Sequence, residues 1–138
     1  MNATLSHADD TRAWGRDFAA RLNTGDVVLL FGPLGVGKTT LVGGIVEGLG
    51  VHGNVLSPTY TLLEIYEGRF SIYHFDFYRI DGSDELRATD PREYYRDGVT
   101  LMEWPERVRD LWPRARWEIT LAFAAGGRTL TLQRVENP

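Results

Sequence analysis

The chain has 138 residues, 43% of them hydrophobic and 25% charged, a composition that excludes a disordered tail or a fibrous repeat and predicts one domain over 1–138. It has no cysteine, which excludes disulfides, Cys-ligated zinc, iron–sulfur clusters and thiol nucleophiles. Its net charge of -4 argues against strong direct binding to nucleic acid, because domains that grip phosphate backbones are usually basic.

No secretion signal is expected, because Met1 to Asp10 lacks both a basic segment and an apolar one. Residues 9–22 then place Trp14, Phe18 and Leu22 four apart among Arg and Asp, which predicts an amphipathic helix with Asp9 or Asp10 near its start. The cluster Asn23-Thr24-Gly25-Asp26 ends it. Val27–Phe31 is a five-residue apolar run that no other run exceeds, far short of the roughly 20 residues that cross a bilayer, and reads as a strand buried on both faces. The expected location is therefore cytoplasmic, with no membrane partner. A glycine-rich turn follows, then a helix from about Lys38 to Leu49, stopped by Gly50.

Residues 60–66 and 69–78 are rich in aromatic and β-branched types and flank Glu67-Gly68, the pattern of a β-hairpin. Residues 83–97 are polar and irregular, with a short helix expected near Pro91 to Tyr95. Val99 to Glu103 is another buried strand, and Pro105 opens a short helix to about Leu111. Arg116–Ala124 and Arg128–Val135 form a second hairpin around Gly126-Gly127. This order predicts an α/β fold, a P-loop domain with a mixed parallel and antiparallel central sheet.

The class is decided at residues 32–40, Gly32-Pro33-Leu34-Gly35-Val36-Gly37-Lys38-Thr39-Thr40, which contain the pattern G-x-x-x-x-G-K-[ST]. The glycines permit backbone torsions that turn successive N–H groups toward an anion. Lys38 supplies a mobile charge for the β- and γ-phosphates, and the Thr39 hydroxyl suits Mg²⁺. The helix opening at Lys38 aims its positive end at the same place. Lys38 is the one lysine beside fourteen arginines, in a role where a compact ammonium on a flexible stem is needed. With no second lysine, the chain has no N-K-x-D guanine signature, which leaves ATP as the expected nucleotide.

Such a loop needs an acid near Mg²⁺ and a group that orients the attacking atom. Asp76 and Glu103 each end an apolar strand, and strand ends in such sheets converge on the ligand crevice. Thr59, in Ser57-Pro58-Thr59 before a strand, suits a switch-loop contact to the γ-phosphate. His74, alternating with Tyr73 and Phe75, reads as a packed core or sheet-face residue, and Trp104 as core. Arg79 reads equally as a phosphate clamp or a surface ion-pair partner. The base pocket has two candidate walls, Gly126-Gly127-Arg128 and the segment from Ser6 to Asp10.

Four blocks taken together resemble the TsaE family, the small bacterial P-loop ATPases needed to make threonylcarbamoyladenosine in tRNA. They are GPLGVGKTT at 32–40, GNVLSPTYTLLEIY at 53–66, YHFDFYRI at 73–80 and LMEWPE at 101–106. The resemblance implies a mixed sheet flanked by helices, binding of ATP and Mg²⁺, and slow hydrolysis by the protein alone. It further implies two partners, a TsaD-like transferase subunit and a TsaB-like subunit, with ATP binding favouring assembly and hydrolysis resetting it. Carried over by position, Lys38 is the phosphate lysine, Thr39 a Mg²⁺ ligand and Thr40 an α-phosphate contact. Glu103 takes a metal or water-positioning role, Asp76 stands near Mg²⁺ or its water, and Thr59 is the switch threonine. One departure from the pattern is Asp90-Pro91-Arg92 ahead of Glu93-Tyr94.

Two other readings use the same loop. One is a small-molecule kinase with Arg87, Arg92 and Arg96 in a lid, for which this chain leaves little acceptor domain. The other is a nucleotide-gated assembly switch without useful turnover.

Overall fold

A computed structural model describes residues 1–52, 62–80 and 89–136. Among these residues, seven strands form one sheet in the order β1-β7-β6-β2-β5-β4-β3. They are β1 (Asn2–Leu5), β2 (Val27–Phe31), β3 (Leu63–Glu67), β4 (Ser71–Asp76), β5 (Gly98–Glu103), β6 (Arg116–Ala124) and β7 (Gly127–Val135). The helices are α1 (Ala8–Phe18) and α2 (Lys38–Gly48). None of the described helices is long and apolar enough to cross a membrane.

The centre of the sheet is parallel. β2 pairs with β5 on one side and β6 on the other, and β5 pairs in parallel with β4. The unbroken apolar runs of β2 and β5 follow from this position, since both faces of each are covered and Gly98–Glu103 is buried at every residue. The flanks are antiparallel: β3 returns along β4, and β6, β7 and β1 form the other edge. β6 and β7 accordingly alternate buried and exposed residues over their middle stretches. Both hairpins expected from sequence are present, although the first turns through Gly68-Arg69-Phe70, because Glu67 still pairs with Ser71. Positions 60 and 61, expected in its first strand, lie outside the described residues.

β1 was not expected from the sequence. It is four residues long, lies at the edge against β7, and buries only Leu5, too little pattern to show a period of two.

One face of the sheet carries α1 and α2. Phe18, Leu41, Val42, Ile45, Val46 and Leu49 pack there against Val28, Leu30, Ile72, Val99 and Leu101. α1 starts as its acids suggest: the Asp10 carboxylate accepts the backbone N–H groups of Ser6 (3.1 Å) and His7 (3.0 Å), which would otherwise have no helical partner. The opposite face is aromatic. Tyr73, Phe75 and Phe77 pack with Val27, Leu29 and Met102 beneath Tyr94, Tyr95 and Trp112. Short 3₁₀ turns cover it, Pro91–Glu93 and Pro105–Leu111, the second kinked at Val108. The helix expected after Pro105 is thus a tighter, broken turn.

Candidate nucleotide site

Parallel pairing puts the C-terminal tips of β2, β4 and β5 at one end of the sheet, and the sequence candidates meet there. β2 ends at Phe31 and runs into the glycine loop. Gly35 (φ 79°) and Gly37 (φ 114°) hold left-handed torsions that other residues adopt at a cost. Gly37 is the N-cap of α2, so the loop delivers the chain into the helix with its first N–H groups facing the loop.

Lys38 leaves the first turn of α2 and is 5% exposed. Its ammonium donates to the Gly32 carbonyl at 2.5 Å and lies 3.6 Å over the centre of the Trp104 ring. Burial pulls its pKa below the usual lysine value, against the upward pull of Glu103, Glu106 and Asp76. The charge is thus held in a place that favours the ammonium less than water does.

Thr39, Asp76 and Glu103 share the cleft with Lys38. Asp76 and Glu103 are direct neighbours in the β4–β5 register. The Thr39 hydroxyl lies 3.4 Å from each Glu103 carboxylate oxygen. Burial, reinforced by the charge of Glu103, raises the Asp76 pKa, while an N–H donated by Tyr78 (3.0 Å) and the charge of Lys38 oppose the shift. Glu103 is 3% exposed, and its Oε2 lies 2.6 Å from His74 Nε2.

The cleft has a volume of about 290 Å³, with Leu34, Tyr78 and Trp104 as its apolar walls. Among the described residues, no group of three or more His, Asp or Glu side chains is placed to cage a metal. The donor set is instead one hydroxyl and two carboxylates beside an ammonium. That set suits Mg²⁺, which is typically held by one or two carboxylates, with phosphates and water completing its octahedron.

A second recess of about 340 Å³ adjoins the first and shares Gly35, Gly37 and Thr40 with it. Its remaining walls include Ser6, His7, Thr11 and Arg128. Both candidate walls of the base pocket therefore meet at one place, beside the glycine loop. Arg128 also braces that loop, donating from Nε to the Val36 carbonyl at 2.8 Å.

Two residues read as core do more than fill space. Trp104 is the one non-glycine residue with positive φ among those described (φ 56°), and this turn lays its indole under Lys38. His74 is buried as expected, yet it bonds to Glu103. The available signal for Trp104 was its place directly after a strand-end acid. For His74 it was its position two residues before Asp76, on the same face of β4. Arg79 lies exposed in the turn after β4. Arg92 is held by Asp90 through contacts as short as 2.6 Å, and Arg96 is exposed. Thr59 and Arg87 lie outside the described residues.

A buried parallel strand, a glycine loop, a helix opening on Lys-Thr and two acids on adjacent strand tips define a P-loop α/β nucleotide-binding protein. The family model for TsaE, threonylcarbamoyl adenosine biosynthesis protein, matches residues 5–130. A tRNA threonylcarbamoyladenosine biosynthesis protein TsaE from Treponema pallidum is 38% identical over 134 residues, 96% of this chain and 99% of that protein. The TsaE protein of Bacillus subtilis is 37% identical over 132 residues, 94% of this chain and 82% of its own length. The crystal structure of Bacillus subtilis YdiB superposes with a TM-score of 0.82 at 32% identity, covering 99% of this chain and 86% of that one. The chain belongs to the TsaE family, whose role is in tRNA threonylcarbamoyladenosine biosynthesis.

Proposed function

We propose that this protein is a cytoplasmic, one-domain Mg²⁺-dependent ATPase that drives the cycling of a complex with a TsaD-like transferase subunit and a TsaB-like subunit. The observation that carries the reading is the convergence of Lys38, Thr39, Asp76 and Glu103 on one cleft at the N-terminus of α2. The backbone N–H groups of residues 34–40 and the helix end take the β- and γ-phosphates, and Lys38 moves from the Gly32 carbonyl to them. Thr39 and Glu103 hold Mg²⁺, which when bound neutralises charge on the phosphate oxygens. Asp76 stands beside Glu103 and orients water. Thr40 spans both recesses, which fits an α-phosphate contact, and the nucleoside extends toward Thr11 and Arg128. Thr59 senses the γ-phosphate. Threonylcarbamoyl transfer itself belongs to the TsaD-like partner, in keeping with the acidic balance of this chain.

The test is the rate of Mg²⁺-ATP hydrolysis by the protein alone and with purified TsaB-like and TsaD-like partners. A slow rate that rises with the partners, and is lost in Glu103→Gln, is expected. A rate indifferent to the partners, or phosphate passed to a small acceptor in place of release, overturns it. Engagement of Arg92 by Asp90 already removes one cation from the lid a kinase would need.

A further inference from the structure

A carboxylate buried as deeply as Glu103 needs donors to remain useful as a ligand, and its orientation depends on where they sit. The Thr39 hydroxyl does not fix it, because it stands 3.4 Å from both oxygens alike. His74 does distinguish them: its Nε2 approaches Oε2 alone, at 2.6 Å. The ring is itself rigidly placed. It is fully buried, sits mid-strand in β4 opposite Leu101, and lies against Tyr66 with ring centres 6.5 Å apart and planes 26° apart. Its other nitrogen, Nδ1, has no hydrogen-bond partner among the described residues. The imidazole is therefore not tying two pieces of backbone together, as a structural histidine does. The neighbouring side chains on this face, Ile72 and Leu101, are apolar core. An aliphatic residue would satisfy packing here, and only the carboxylate calls for a ring N–H.

We propose that His74 is a positioning residue for Glu103. Its Nε2–H donates to Oε2, fixes the carboxylate plane, and leaves Oε1 turned to the cleft for Mg²⁺ or its water. This assignment leaves only a lone pair at Nδ1 without a partner, which costs less in an apolar interior than a buried N–H. The inference rests on the role given to Glu103 above. His74 touches neither nucleotide nor metal and acts through the carboxylate, as the outer partners of metal ligands do.

The test compares His74→Phe, His74→Asn and His74→Gln. Phe keeps the ring stack and loses the donor. Asn places its amide nitrogen near Nδ1, short of Glu103, while Gln extends it to the place of Nε2. ATP affinity is measured by calorimetry with Mg²⁺ and with EDTA, alongside kcat. In Phe and Asn we expect kcat and the Mg²⁺-dependent part of ATP affinity to fall about 10- to 100-fold. Affinity in EDTA is unchanged, and Gln recovers most of the Mg²⁺ response. Equal behaviour of Asn and Gln, or a full Mg²⁺ response in a folded Phe variant, overturns the proposal. If Phe fails to fold, the Asn and Gln pair decides, since both are amides and differ only in reach. Glu103→Gln is run beside them. If it keeps the wild-type Mg²⁺ response, the role of Glu103 falls and that of His74 with it. If it loses the response while the His74 variants keep theirs, the positioning role alone fails.

Discussion

Two groups of glycines in this molecule do opposite jobs. In the phosphate loop, Gly35 and Gly37 are required by torsion, and a Cβ on either meets nothing within 4 Å. The space beside them is open because both line the cleft. Where α1 crosses α2, the torsions are helical and space is what is lacking. A Cβ on Gly44 would run into the Arg12 carbonyl, one on Gly15 would come 2.8 Å from the Leu41 carbonyl, and one on Gly48 would come 2.7 Å from Ala19 Cβ. Glycine in the loop shapes a site, and glycine in the helices lets two backbones touch. α2 thus lines the cleft with its first residue, Lys38, and packs against the α1 segment about two and three turns later, at Gly44 and Gly48.

Substitutions in the two groups should separate function from stability. The largest effect is expected for Lys38→Met, which should weaken ATP binding about 100-fold or more in a titration, on the scale of removing one key charge-stabilising donor. The empty protein should not melt earlier, because burial already holds the Lys38 pKa below the usual value. With the folded-state pKa below the unfolded one, the charged form costs stability at every pH below the unfolded value. A lower melting temperature in Lys38→Met would show that the Gly32 and Trp104 contacts outweigh that cost.

Gly37→Ala tests the torsional half of the comparison. A left-handed alanine costs about 1–2 kcal/mol. Relief of that strain by a shift in the loop should weaken nucleotide binding about tenfold, for about 1.4 kcal/mol of lost affinity. Gly44→Ala tests the steric half. Forcing the helices apart should destabilise the fold by about 1–3 kcal/mol in denaturant titrations, with ATP affinity of the folded protein unchanged. Loss of affinity in Gly44→Ala matching that in Gly37→Ala would mean that the crossing and the loop form one unit.

The smallest effect concerns pH. Asp76 has its folded-state pKa raised from 3.8, chiefly by burial, so the folded protein holds this proton more tightly than the unfolded chain does. Its favourable contribution is present below 3.8 and fades as pH rises through the folded value. In the nucleotide-free protein, Asp76→Asn should therefore gain stability relative to wild type as pH rises across that window, then hold a constant difference. Thermal melts at several pH values between 3 and 7 check it, and a parallel pair of curves would contradict it.

The legible part of this molecule is local. Apolar runs marked the central strands, aromatic alternation marked β4, and the spacing of Trp14 and Phe18 marked α1, although the helix expected to reach Leu22 gives way to a 3₁₀ turn at Ala19–Arg21. The loop, Lys38, Thr39, Asp76 and Glu103 were all nameable from the chain, since each follows or ends a strand. What stayed hidden was partnership. Trp104 and His74 looked like packing because an apolar neighbourhood in sequence does not say which polar atom lies above it. The walls of the second recess appeared only as two unconnected segments.

By itself, the sequence determined the class of site and the family, because a phosphate loop is built from consecutive residues and family motifs are written in chain order. Tertiary structure decided which distant groups meet. His74 finds Glu103 across 29 residues, and Arg128 finds the Val36 carbonyl across 92. The physical reason is register. The hydrophobic pattern of a strand states that it is buried, whereas its neighbour and the residue opposite are fixed by the pairing of whole strands and by the α1–α2 contact packed against one face.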